Sequence, residues 1–172
     1  MKYIINPLNI HNVEIFEENK LTPRCYFIPY KSRKKLEKTD ALTNRYKSDT
    51  VKVLSGKWDF IYYKSISSMP REFDTECLSF DKINVPCTWQ RTGYEPPKYL
   101  NTRYEFPMTL PDVPEEMSAA IYRKRFTVSK DCVNPIITFL GVCSNLTLYV
   151  NGKYVGYSEG SHNSAEFCLK DF

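Results

Sequence analysis

Leu146-Thr147-Leu148-Tyr149-Val150-Asn151-Gly152-Lys153-Tyr154-Val155-Gly156-Tyr157 is the stretch that decides the fold class. Two runs rich in β-branched and aromatic residues flank an Asn-Gly pair. That pair favours a type I′ turn, because both central residues of such a turn need positive φ. Alternation at period two puts Leu146, Leu148 and Val150 on one face, pointing inward. The stretch predicts a tight β-hairpin.

Working outward, other short runs read the same way. Val53 to Tyr63 is strand-like, with Trp58, Phe60 and Tyr62 on a common face. Phe80 to Val85 is a second strand with Ile83 and Val85 on one side, and Pro86 should end it. Ala120 to Val128 and Ile136 to Leu140 are two more, the latter closed by Gly141. Ala165 to Leu169 starts another. No internal repeat and no amphipathic helix interrupts them. Several short strands separated by turns predict a sandwich or a barrel. The long segment from Cys87 to Pro114, with Pro96-Pro97, Pro107 and Pro111, reads as a purposeful loop.

Residues 1–50 behave differently. Asn6-Pro7, Thr22-Pro23 and Ile28-Pro29 break any periodicity. The reading is an extended arm with a short turn near Glu14–Glu18, then a mobile basic loop over 31–50. Ten Lys/Arg against six Asp/Glu sit in residues 1–50, whereas the rest holds fourteen of each. Lys31-Ser32-Arg33-Lys34-Lys35-Leu36-Glu37-Lys38 supplies most of the excess. A solvated loop explains it better than nucleic-acid binding, so no nucleic acid is expected as a partner. With 172 residues, one domain with a proper core is possible.

No apolar run reaches the length of a membrane span, and Met1 to Pro7 is too short for a signal peptide. A cytoplasmic protein without membrane partners is expected. The six cysteines (Cys25, Cys77, Cys87, Cys132, Cys143 and Cys168) are scattered, with no C-x-x-C. They read as free thiols, mostly buried packing residues. His11 and His162 lack ligand spacing, so no metal site is expected.

Two motifs suggest chemistry and do not carry it. Gly156-Tyr157-Ser158-Glu159-Gly160 fits G-x-S-x-G, but a nucleophilic serine needs a strand-to-helix turn. Here the motif follows a hairpin strand, and no helical pattern comes after it. The two glycines then read as permitting a strand exit and a tight loop. Asn145-Leu146-Thr147 fits a glycosylation sequon, a chance match without a secretory signal. The aromatic loop around Trp89, Tyr94, Tyr99 and Tyr104 suits a sugar ring and suits a core equally well.

At these residues a family resemblance enters. It runs through Glu18-Asn19-Lys20-Leu21-Thr22-Pro23-Arg24, Leu54-Ser55-Gly56-Lys57-Trp58-Asp59-Phe60 and Val85-Pro86-Cys87-Thr88-Trp89-Gln90. It continues with Gly93-Tyr94, Tyr99-Leu100-Asn101, Tyr122-Arg123-Lys124-Arg125-Phe126 and Val155-Gly156-Tyr157-Ser158-Glu159-Gly160-Ser161, and ends at Ala165-Glu166-Phe167. Nearly the whole chain, in order, resembles the amino-terminal domain of glycoside hydrolase family 2, in particular its large β-galactosidases.

The resemblance implies an all-β jelly-roll β-sandwich, galactose-binding-domain-like, over residues 51–172. It would be preceded by the extended arm and basic loop of 1–50. The last strands of such a sandwich are expected to be missing, as in a truncated piece. It further implies a retaining β-galactosidase as the parent protein, whose two catalytic glutamates lie in a (β/α) barrel beyond residue 172. This chain would then hold no catalytic residue and no metal or other cofactor, although the parent resembles Mg- and Na-dependent relatives. One substrate contact carries over by position: Asn101, whose amide both donates to and accepts from sugar hydroxyls. Leu100, His162 and Cys168 depart from the family's usual residues.

The implied partners are a galactoside sugar, held weakly or not at all by this piece alone, and the remainder of the enzyme. Exposed sheet edges would add self-association. A free-standing carbohydrate-binding module and an assembly or complementation subunit for a separately made catalytic part stand as alternatives.

Overall fold

A computed structural model of the chain describes residues 1–5, 9–40, 42–99, 101, 107 and 111–172. Among these described residues, ten strands, one short α-helix and four 3-10 turns make up the regular structure. The strands are β1 (Lys2–Ile4), β2 (Glu17–Glu18), β3 (Gly56–Tyr63), β4 (Glu72–Asp74), β5 (Asp81–Val85), β6 (Ala119–Arg123), β7 (Ile136–Phe139), β8 (Asn145–Val150), β9 (Lys153–Glu159) and β10 (Ala165–Cys168). The helix α1 spans Arg33–Glu37. The fold is all-β and of sandwich type, as the strand spacing predicts.

The hairpin forms where the Asn-Gly pair places it. Asn151 and Gly152 adopt φ of 51° and 81°, the two positive values a type I′ turn demands. β8 and β9 pair antiparallel, with Leu148 opposite Gly156 and one irregularity between Leu148 and Tyr149. Leu146, Leu148 and Val150 face a cluster formed by Val155, Ala165, Phe167 and Leu169. Ile137 and Phe139 of β7 close this cluster from the β7–β10 pair. One core therefore lies between the hairpin and β7–β10.

A second core is aromatic. β3 is the central strand of the order β5-β3-β6. Its Phe60 is fully buried, with the Tyr94 and Tyr122 rings each 4.8 Å away, edge-on. Strand β6 is shorter than the predicted run to Val128. Its pairing with β3 stops at Asp59↔Arg123, and Phe126 then packs against the hairpin core. The chain that flanks Phe60 in β6 thus runs on, three residues later, to the hairpin core.

Described parts of residues 1–50 are tied to this body. β1 pairs with β4, and β2 pairs with β9 through Glu17↔Ser158 and Glu18↔Tyr157. The Leu21 amide donates to the Glu166 carbonyl at 2.8 Å, and the Arg24 guanidinium grips the Glu166 carboxylate through Nε at 2.9 Å and Nη2 at 2.8 Å. The expected turn near Glu14–Glu18 is partly a strand. The basic stretch contains α1, whose first turn is capped by the Ser32 hydroxyl. Five residues are too few for a periodic signal, so only the capping serine marks that helix in the sequence.

Two expectations need correction. Of the six cysteines, Cys25, Cys77, Cys87, Cys132 and Cys143 are exposed and Cys168 is half-buried. The exposed five sit in connections between strands, where a small apolar side chain has no core to enter. Gly156 does not serve a strand exit. It lies within β9, where an added Cβ would stand 2.5 Å from the Glu18 carbonyl oxygen and 2.6 Å from Phe167 Cε1. Backbone and ring both approach too closely for any side chain. Among the described residues no helix is long and apolar enough to cross a membrane.

Gly156→Ala is therefore expected to destabilise the chain by about 1–3 kcal/mol through overpacking. The check is the urea unfolding midpoint. An unchanged midpoint would show that β2 and the Phe167 ring can retreat freely.

Candidate functional site

Tyr62 lies near the end of β3, and the chain returns to it at residues 89–98. Trp89–Thr92 forms a single 3-10 turn, ended by Gly93 in the left-handed region. Trp89 and Tyr94 turn their rings back onto β3. The Trp89 ring centre lies 5.9 Å from that of Tyr62 and 6.4 Å from that of Phe60, and the Tyr94 ring lies 5.6 Å from Tyr62. These two aromatics of the predicted sugar loop are thus packing residues. Tyr99 is exposed, and Tyr104 falls outside the described residues.

Beneath this turn sits Glu95, with a side chain only 10% exposed. Its Oε1 accepts from Trp89 Nε1 and Gln90 Nε2, each at 2.5 Å, and from the Ser118 hydroxyl at 3.2 Å. Its Oε2 accepts from the Tyr62 hydroxyl and the Ser118 hydroxyl, each at 3.1 Å, and lies 3.4 Å from Lys98 Nζ. Burial alone would raise the carboxyl pKa. The Trp89 hydrogen bond, the Lys98 charge and the Tyr62 and Ser118 hydroxyls outweigh it, and hold Glu95 below the ordinary glutamate range. Glu95 is easily passed over in the sequence, because a glutamate before Pro96-Pro97 looks like loop surface. Its partners lie 33 positions upstream and 23 downstream as well as nearby. The only local signal is the run of donors at Trp89 and Gln90.

Six residues beyond this carboxylate, Asn101 stands exposed in a turn. Leu100 before it and residues 102–106 after it lie outside the described residues.

The G-x-S-x-G string makes no nucleophile. Ser158 lies inside β9, buried, and is paired with Glu17 on one side and Leu146 on the other. The strand runs on to Glu159, and the chain then turns to β10 with no helix between. Buried Tyr157 donates to Glu159 Oε1 at 2.6 Å, and its phenol pKa is raised by burial first and by Glu159 second. Asn145 of the sequon is strand-paired with Glu159. Among the described residues no group of three or more His, Cys, Asp or Glu side chains is placed to hold a metal ion.

The profile of the glycosyl hydrolases family 2 sugar binding domain matches residues 51–172. A β-galactosidase of Actinobacillus pleuropneumoniae is 34% identical over 155 residues, covering 90% of this chain and 15% of that protein. One from Oenococcus oeni is 36% identical over 134 residues, covering 75% and 13%. One from Alteromonas mediterranea is 35% identical over 168 residues, covering 93% and 16%. The chain thus spans about one seventh of the length of these relatives.

Because the folded-state pKa of Glu95 is depressed, its contribution to stability is complete above the unfolded value of about 4.3 and is lost as pH falls through the folded value. Glu95→Gln should accordingly be less stable than the parent chain at neutral pH, and the gap should close on acidification below about pH 4.3. Thermal melts from neutral to acid pH would measure this. A gap that stays constant would mean the ionised carboxylate is not its source.

Proposed function

The chain belongs to glycosyl hydrolase family 2 through its sugar-binding domain, and we propose that it is the amino-terminal, non-catalytic part of a β-galactosidase, presenting Asn101 to a galactoside. The family match over 51–172 carries this reading. The β-galactosidases that align along 75–93% of the chain support it.

In this reading the parent enzyme hydrolyses terminal β-galactosides with retention, using two glutamates outside the chain. Retention needs a pair of carboxyl groups flanking the bond, one as acid/base and one as nucleophile. Three of the described carboxylates with the least exposed side chains are instead committed to structural partners: Glu95 to its five donor residues, Glu166 to Arg24 and Thr138, and Asp59 to Lys82 and Arg123. The chain contributes one amide to a site whose other walls belong to the remainder of the enzyme. It needs no cofactor of its own, and its place is the cytoplasm. One amide on an open surface is a weak site, because small ligands need several converging polar groups in an enclosed space.

Titration of the isolated chain with galactose and lactose, followed by NMR, tests the assignment. Weak, saturable shifts that vanish in Asn101→Ala are expected. Saturable shifts that survive Asn101→Ala would remove Asn101 from the site. Tight binding would point to a free-standing sugar module. A complete absence of shifts would place all measurable affinity in the assembled enzyme.

The isolated chain also self-associates in this reading, since β5 and β8 each have one edge without a strand partner among the described residues. Light scattering should show mass rising with concentration. A constant monomer mass at high concentration would refute it.

A further inference from the structure

Glu95 has more partners than a loop needs to close. Its donors come from four places: β3 (Tyr62), the 3-10 turn (Trp89 and Gln90), the approach to β6 (Ser118) and Lys98. A carboxylate offers roughly four lone-pair sites. Glu95 fills them with donors that are otherwise far apart in sequence, so the carboxylate is the joint at which these segments meet.

The segment after Glu95 is short and stiff. Pro96 and Pro97 fix two successive φ angles near −65°. Lys98 returns to the same carboxylate at 3.4 Å. Only Tyr99 and Leu100 then separate this twice-tied segment from Asn101. The base of the Asn101 segment is therefore set by one largely enclosed carboxylate.

We propose that Glu95 is a positioning residue for the galactoside. It touches no sugar, and it holds the Glu95–Lys98 base so that the Asn101 amide is presented in one orientation. This rests on the reading that Asn101 meets the sugar. An amide held in place loses less conformational entropy on binding than a free one. The required feature is an acceptor on both oxygens. Glutamine has the same shape but turns an NH2 group toward the donors, whereas aspartate keeps both acceptors on a shorter stem.

The test uses the 172-residue chain, labelled with 15N, and three NMR readouts. The Trp89 indole N–H reports the hub, the heteronuclear NOE of the Asn101 amide reports order at the site, and the amides of Val155 and Tyr157 report the distant hairpin. In Glu95→Gln the indole signal should move, the Asn101 NOE should fall to the value of a free loop, and the hairpin signals should stay. Glu95→Asp should restore part of the Asn101 order. Lactose affinity, where the parent chain shows it, should fall about tenfold in Glu95→Gln, the scale of one oriented hydrogen bond.

A displaced indole signal with an unchanged Asn101 NOE would overturn the proposal. If Glu95→Gln unfolds the chain, Tyr62→Phe and Ser118→Ala each remove a single donor. Each should lower the Asn101 NOE in part, and no change in either would overturn the proposal equally. Failure of the sugar reading looks different: an ordered Asn101 that depends on Glu95, beside a lactose response indifferent to Asn101→Ala.

Discussion

The contact on which the architecture turns is the one at Gly156, where three segments meet with no side chain between them. β9 has β8 on one side and β2 on the other, while the Phe167 ring of β10 lies against its backbone. A glycine inside a strand weakens it locally, through backbone entropy and a missing packing group. Here that cost is offset by what the gap admits. The Phe167 ring is fully buried and anchors the hairpin core, and the Glu18 carbonyl comes close enough for the amino-terminal segment to join the sheet. Without this approach β2 would have no place at the sheet edge, and the link from Leu21 and Arg24 to Glu166 would lose its footing.

Polar groups do a complementary job where apolar packing is thin. Many of the long-range ties pass through carboxylates: Glu95 beneath the aromatic turn, Glu166 under Arg24, Asp59 between Arg123 and Lys82, Glu18 with Asn9 and Tyr154. Among the described residues no buried side-chain nitrogen or oxygen is left without a partner. Glu95, Glu166 and Asp59 are each partly withdrawn from water, where an acceptor left without donors costs more than a made hydrogen bond returns. Each of these three therefore specifies where its several donors must stand. That is how two modest cores, one around Phe60 and one around Phe167, hold a chain with long irregular connections.

Legibility in the sequence followed the range of the physics. The hairpin could be read because its signal is local: positive φ at Asn151 and Gly152, and period-two alternation on either side. The strand through Phe60 was equally plain. Short paired segments were not. A two-residue strand such as Glu17–Glu18 has no period to detect, and its pairing with β9 depends on Gly156, more than a hundred positions away. Smaller separations, 33 positions to Tyr62 and 23 to Ser118, were enough to hide the Glu95 joint. The cysteines misled because a preference for burial says nothing about whether a given connection passes near a core. The aromatic turn was ambiguous from residue types alone, and the direction of the Trp89 and Tyr94 rings resolved it towards packing.

The division between packing and presentation also explains the shape of the candidate site. The Trp89 and Tyr94 rings, which could stack on a sugar, are spent holding the turn to β3, and the Glu95 carboxylate is filled by its own donors. Asn101 carries an amide, a group that tolerates water when empty and can both give and accept a hydrogen bond when occupied. The enclosed Glu95 joint and exposed Asn101 are two ends of one short segment. In the proposed reading, the joint is what lets that segment add a defined contact to a pocket completed by the rest of the enzyme.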